Sequence, residues 1–316
     1  MESTKRDDHY LCRLRAFFCD KYGVLASSIS PAKRGYYGET WRLDSPDGRF
    51  FLKLDYSPFH QNKYRNSLEV VQYLCDSGID FISKPIKTKT GELYSRFDSA
   101  ILGVFAWIEG ENIETDETKI PEYQMLGQIY PLTKPGFDIP SLAFSDDRAK
   151  TFFSKWERLK ADPKNADDLA VLSLLERHRE TLERYAVRLT HFSARCKEDI
   201  PLFYLTHGDA GGNLLYGNGK YSIVDWDEVM YAPLERDAWV MCCREWALKA
   251  FEEALKRNGI DYRLKPERLA FYCYHMYFLY LGEFLDDVTL YGKRQEIEGF
   301  FDGWILDRMK YADSIQ

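Results

Sequence analysis

The chain has no Cys-x-x-Cys pair, no Gly-x-Ser-x-Gly elbow and no Gly-x-x-x-x-Gly-Lys phosphate loop. Its seven cysteines (Cys12, Cys19, Cys75, Cys196, Cys242, Cys243 and Cys273) are scattered and odd in number. That pattern excludes a disulfide framework and fits reduced, buried thiols in a cytoplasmic protein. The six histidines are dispersed without zinc spacing. No apolar run is long enough to cross a bilayer, and the charged N-terminus has no apolar signal core. Positive charge is in deficit, 43 basic against 50 acidic residues, for a net charge of -7. Such a surface repels phosphate backbones and argues against a general nucleic-acid binder.

What is present is apolar and aromatic mass. Hydrophobic residues make up 45% and aromatic residues 16% of 316 positions, enough for a packed interior and, at this length, two lobes. Residues 8–22 read as an amphipathic helix ending at Gly23. The runs TWRL (40–43) and RFFLKL (49–54) read as strands joined by Ser45-Pro46-Asp47-Gly48, a turn in which Pro presets φ and Gly accepts a positive one. A helix from Tyr64 to Cys75 stops at Gly78, and strand-like text runs from Phe81 to Val104. Beyond Trp107-Ile108-Glu109-Gly110 the spacing is helical over 120–130, 146–196 and 238–312. The spacing therefore predicts a small β-dominated lobe and a larger helical lobe carrying a small sheet insert.

That insert, LTHGDAGGNLLYGNGKYSIVDWDE (205–228), concentrates the chemistry. Leu214-Leu215-Tyr216 and Tyr221-Ser222-Ile223-Val224 read as strands, and Gly217-Asn218-Gly219-Lys220 between them is a hairpin signal. Pairing Tyr216 with Tyr221 sets Asn213 beside Val224 and Asp225. One amide oxygen and one carboxylate then meet at one end of the hairpin, with Asp209 just upstream. Hard oxygen ligands that leave room for water and phosphate suit Mg²⁺.

His207-Gly208-Asp209 and Asp225-Trp226-Asp227, with Ile223-Val224 before and Ala232-Pro233-Leu234-Glu235-Arg236-Asp237 after, resemble the aminoglycoside phosphotransferase and choline kinase family, nearest its spectinomycin phosphotransferase branch. The resemblance spans about residues 20–300. It implies an α+β, bilobal protein-kinase-like fold: an N-terminal nucleotide-binding lobe with a small antiparallel sheet (1–104), a hinge (105–110), and a larger, mainly helical catalytic and substrate-binding lobe (111–316). It further implies an enzyme that uses ATP and Mg²⁺ to phosphorylate an alcohol group. Asp209 would be the catalytic base, and Asn213 and Asp225 the metal ligands. Lys53, paired with Glu69 on the next helix, would hold the phosphates, and the backbone of Phe105, Ala106 and Ile108 would meet the adenine. His207 would brace the loop. Lys33 to Thr40 would arch over the phosphates without the full glycine pattern. Only three residues separate Asp209 from Asn213, one fewer than is usual in the family.

The acceptor expected from this resemblance is a small, hydroxylated, amine-bearing compound, an aminoglycoside or aminocyclitol such as spectinomycin, which would make the enzyme an antibiotic-resistance factor. Asp227, Glu228, Glu245, Trp246 and Glu283, with Asp286 and Asp287 further on, supply acidic and aromatic chemistry for such a cation. The aromatic stretch 272–280 leaves other acceptors open. The alternatives are a metabolic choline- or sugar-type kinase of the same fold, and a degenerate nucleotide-binding module. The expected protein is cytoplasmic, a monomer or weak homodimer. Asp237 reads first as a helix N-cap.

Overall fold

A computed structural model describes residues 6–32, 38–286 and 293–316. Of the loop expected to cover the phosphates, residues 33–40, residues 33–37 lie outside the described residues, as does the candidate Asp287, and Gly38 to Thr40 are part of a strand. Contacts group the chain into two units, residues 1–141 with 204–231, and residues 142–203 with 232–316.

In the first unit, α1 (Asp8–Tyr22) starts where the Asp7 carboxylate accepts from the Tyr10 N–H at 2.7 Å, and ends at Gly23 in the left-handed region. Tyr10, Leu14, Phe18 and Tyr22 recur every four residues and form its buried face. That face joins one apolar core with Trp41, Leu43, Leu52, Leu54 and Val104 of the sheet. Full burial of a side chain such as Leu14 or Phe18 contributes roughly 1.5–3 kcal/mol. The sheet comprises β1 (Ser28–Pro31), β2 (Gly38–Ser45), β3 (Gly48–Asp55), β4 (Tyr94–Phe97) and β5 (Ala100–Ala106). It is antiparallel throughout, in the order β1-β2-β3-β5-β4. Ser45 faces Gly48 at the β2–β3 turn, as the Pro-Asp-Gly sequence predicts. Helix α2 (Gln61–Asp76) connects β3 to the segment before β4. Residues 81–93, expected to be strand-like, form only isolated bridges, Ile82 to Ile223 and Pro85 to Phe105.

The first unit continues with β6 (Glu111–Asn112) and α3 (Lys119–Ile129). After an excursion through the second unit it resumes with β7 (Tyr204–Thr206), β8 (Leu214–Gly217), β9 (Lys220–Ile223) and β10 (Met230–Ala232). β6, β8 and β9 form a three-stranded sheet, and β7 pairs with β10. Tyr216 faces Tyr221, the register the Gly-Asn-Gly-Lys turn predicts. The expected hinge at 105–110 begins at the end of β5, inside this unit.

The second unit contains α4 (Asp147–Ala161), α5 (Ala166–Arg177), α6 (Arg179–Glu198), α7 (Glu235–Ala238), α8 (Glu245–Arg257), α9 (Pro266–Phe284), α10 (Lys293–Asp302) and α11 (Ile305–Ser314). α9 packs against α4, α6 and α11. Its aromatic run, Phe271, Tyr272, Tyr274, Tyr277 and Phe278, is buried on nearly every side, as befits a central helix. Asp237 lies inside α7 rather than capping it, because the helix begins at Glu235. All seven cysteines are free, and no helix among the described residues is long and apolar enough to cross a membrane.

Candidate active site

Every residue expected to handle nucleotide or metal belongs to the first unit. Lys53 sits in β3 between the fully buried Leu52 and Leu54, facing Thr40 on one side and Gly103 on the other. Its ammonium donates to Asp225 Oδ1 at 2.6 Å and lies 2.5 Å from Asp227 Oδ2. The Tyr64 ring lies 5.6 Å from the same nitrogen. Burial disfavours the charge on Lys53, but Asp227 and Asp225 outweigh it and raise the pKa.

The hairpin carries the two carboxylates. Asp225 follows β9 in the left-handed region (φ 62°, ψ 65°), and residues 226–228 form one tight helical turn. Trp226 anchors that turn: its indole donates to the Ile223 carbonyl at 3.2 Å, and its ring meets His207 at 4.5 Å. Buried His207 joins two segments, with Nε2 donating to the Val224 carbonyl at 2.9 Å and Nδ1 accepting from the Asp209 N–H at 3.2 Å. The geometry is that of a brace. Burial pushes Asp227 up to about 6, with Lys53 opposing and Asp225 adding to the rise. For Asp225, burial acts in the same direction, but Lys53 prevails and the pKa is lowered.

The three-residue loop still brings Asn213 to the end of the hairpin. The Val224 N–H donates to the Asn213 carbonyl at 3.0 Å. The Asn213 amide nitrogen donates to the Asp209 carbonyl at 2.9 Å and to Asp209 Oδ2 at 3.2 Å. Its amide oxygen is thereby left as an acceptor. Side chains crowd Gly211 and Gly212, so a larger residue at either would displace Lys119 or press on Asp209. A Cβ on Gly211 would lie 2.2 Å from Lys119 Nζ, and one on Gly212 would lie 3.1 Å from Asp209 Oδ1. Asn112 of β6 secures the loop by donating to the carbonyls of Gly211 (3.3 Å), Gly212 (3.1 Å) and Leu214 (2.9 Å). Buried Lys119 pairs with Glu122 at 3.0 Å and with Glu114 at 3.4 Å. Asp209 is an exposed residue, yet enough of its surroundings is protein that lost solvation is the largest influence on it. Asp225 and Glu114 add to that effect, Lys119 and Asn213 oppose it, and the pKa rises to about 6.

A cavity of about 530 Å³ opens beside these groups, lined by Lys53, Phe105, Ala106, Ile108, Asn213, Asp225 and Asp227 among others. Two of the three expected adenine-binding residues have their backbone groups engaged. Phe105 faces Phe51 across the sheet. The Ala106 N–H donates to the Lys84 carbonyl at 2.9 Å, and its C=O accepts from Ser83 Oγ at 2.7 Å. Among the described residues, the Ile108 N–H and C=O have no backbone partner, and they border the cavity.

Three expectations need correction. Glu69 does not pair with Lys53: it is exposed, whereas the cavity side of α2 is built from Ser67, Leu68 and Val71. At 100° per residue Glu69 is turned away from that face. Asp227 is not free to take an acceptor, because it is buried against Lys53. Glu228 is likewise engaged, by Lys63 Nζ and, at 3.4 Å, by His60 Nε2. Glu245, Trp246 and Glu283 lie in the second unit, Glu245 pairing with Lys249 at 2.6 Å on its own helix. His60, Lys63, Asn112 and Lys119 did not emerge from the sequence reading. Each sits in charged or turn-rich text with no local signal. The Glu228 contacts of His60 and Lys63 and the carbonyls that Asn112 meets are distant in sequence, whereas Lys119 pairs locally and only its place beside Gly211 is set by the fold. No group of three or more His, Cys, Asp or Glu side chains suited to a metal occurs among the described residues. An ion here would rest on Asp225, the Asn213 oxygen and phosphate, as suits a cation that prefers oxygen and keeps open positions.

The profile of the phosphotransferase enzyme family matches residues 28–272. Among curated proteins no significant match is found. Several solved structures share the fold. Spectinomycin phosphotransferase in complex with ADP and spectinomycin superposes with a TM-score of 0.78 at 19% identity, over 96% of this chain and 97% of that one. An amicoumacin kinase in complex with AMP-PNP, Ca²⁺ and its substrate gives 0.61 at 15%, over 98% and 94%. A choline kinase from Streptococcus pneumoniae gives 0.59 at 15%, over 97% and 98%.

Proposed function

The chain belongs to the phosphotransferase enzyme family and is a small-molecule phosphotransferase acting on a hydroxyl group, and on that premise we propose that it is a cytoplasmic, ATP- and Mg²⁺-dependent kinase of an aminocyclitol or aminoglycoside of the spectinomycin kind. The observation that carries this reading is the pairing of Asp209, raised to about 6, with the Asn213 amide, which itself lines one cavity together with the Lys53–Asp225 pair. Phosphoryl transfer asks mostly for positioning and charge neutralisation.

Asp209 accepts the proton of the acceptor hydroxyl. The acceptor oxygen forms the new O–P bond, the bond between the β-γ bridging oxygen and the γ-phosphorus breaks, and ADP leaves. Lys53, released from one carboxylate, neutralises phosphate charge. A magnesium ion held by Asp225 and the Asn213 oxygen would screen the remainder. Ile108 offers its free N–H and C=O to the adenine edge. Glu245, Trp246 and Glu283 are proposed acceptor contacts on the strength of their acidic and aromatic chemistry.

The test is transfer of labelled γ-phosphate to a panel of aminocyclitols, aminoglycosides, choline and sugars. Wild-type protein phosphorylates an amine-bearing alcohol. Asp209→Asn retains ADP binding but loses turnover by roughly two to four orders of magnitude, the range for a positioned acid–base group. Choline or a plain sugar as sole acceptor would reassign the substrate, and an Asp209→Asn enzyme with wild-type kcat would remove Asp209 from its role.

A further inference from the structure

Lys53 and Asp55 are two residues apart on β3, so their side chains leave the same face of the strand. Lys53 reaches Asp225 and Asp227 directly. Asp55, 1% exposed, accepts from the Ser57 N–H at 2.7 Å and binds His60 Nδ1. Buried His60 then presents Nε2 to Glu228 Oε1 at 3.4 Å, while Lys63, one turn along α2, holds the other oxygen of Glu228. One strand face therefore grips both ends of the 225–228 turn, once through Lys53 and once through Asp55 and His60.

The two grips differ in what nucleotide binding does to them. Lys53 has to turn toward phosphate, which loosens its hold on the carboxylates. Asp225, held at positive φ, needs restraint from outside to stay there. Helix α2 packs on the 226–228 turn but supplies no acid to Lys53, since Glu69 faces solvent. We infer that Asp55, His60, Lys63 and Glu228 form a second tether that keeps the metal-binding turn in register while Lys53 changes partners. This assignment rests on the metal reading of Asp225 given above. All four are positioning residues.

The experiment has two arms. Hydrogen exchange of the peptide covering 223–230 is followed in nucleotide-free protein, and Mg·ADP affinity is measured by calorimetry. The proteins are wild type, Glu228→Gln, Lys63→Met and the charge swap Lys63→Glu with Glu228→Lys. The single variants should exchange faster in this peptide at unchanged Tm and bind Mg·ADP about tenfold more weakly, the lower end for partners that orient metal ligands. The charge swap should restore part of both, because it re-forms the pair between positions 63 and 228 but not the acid that His60 faces. Unchanged exchange, or faster exchange with unchanged affinity, overturns the assignment. Wild-type protein that binds no Mg·ADP overturns the nucleotide reading and this role with it, an outcome distinct from tether failure, in which wild-type binding is intact.

Discussion

Glu235 in the second unit and Lys53 in the first are both charged and buried, yet their surroundings are built to opposite rules. Glu235, with no exposed surface, accepts from Arg268 Nε at 2.9 Å, Tyr262 OH at 2.6 Å and the Lys265 N–H at 2.8 Å. Arg268 is the one base on Glu235, and neutral donors fill its remaining directions. The second acid on Arg268, Asp199 at 3.3 Å, lies in solvent, so within the interior one acid meets one base. Lys53 faces two carboxylates, leaving a net negative charge, with Asp227 forced up to about 6. A balanced pair fixes helices; an unbalanced one leaves a deficit that an incoming cation can fill.

Three experiments sharpen the contrast. The largest effect belongs to Glu235→Ala, which leaves buried Arg268 with only the solvent-exposed Asp199 as an acid partner. Breaking a buried pair in this way costs about 3–5 kcal/mol, read as a large fall in Tm. Next is Lys53→Met. Loss of a group aimed at transferring charge lowers kcat/KM for ATP by roughly 10²–10³. The fall in Tm should be smaller than for Glu235→Ala, because Asp225 opens to water and Asp227 can take a proton. Added Mg²⁺ should raise the Tm of Lys53→Met more than that of wild type. An equal loss of stability in the two variants would erase the distinction between the pairs. The smallest effect is on pH. Asp209 has to be ionised to receive a proton, and its neutral form dominates below its pKa of about 6. The acid limb of kcat/KM should therefore fall about tenfold per pH unit below pH 6, at lower pH still if bound metal favours the ionised form. A flat profile down to pH 4.5 would exclude Asp209 as the base.

Local rules made much of this legible. The Gly-Asn-Gly-Lys turn fixed the Tyr216–Tyr221 register and, through it, the backbone meeting of Asn213 with Val224, the residue before Asp225. Lys53 stood out as a cation inside an apolar strand. Glu69 has the chain distance of a Lys53 partner but the wrong helical phase: the apolar stripe of Tyr64, Leu68 and Val71 points elsewhere. Glu228 read as a free acid because His60 and Lys63, its partners, lie more than 160 residues away. Asn112 was invisible for a similar reason: its three acceptors are backbone carbonyls about 100 residues downstream, which carry no mark in the sequence.

The left-handed backbone at Asp225 bears on which replacements natural variation can sample there. Asparagine and glycine accommodate such a φ readily, whereas glutamate, which keeps the charge, does not. Conformation and charge thus select different neighbours of aspartate, and no single substitution satisfies both. A lineage drifting away from catalysis would be expected to leave asparagine or glycine at this position, a folded fossil of the enzyme, long before it leaves another acid.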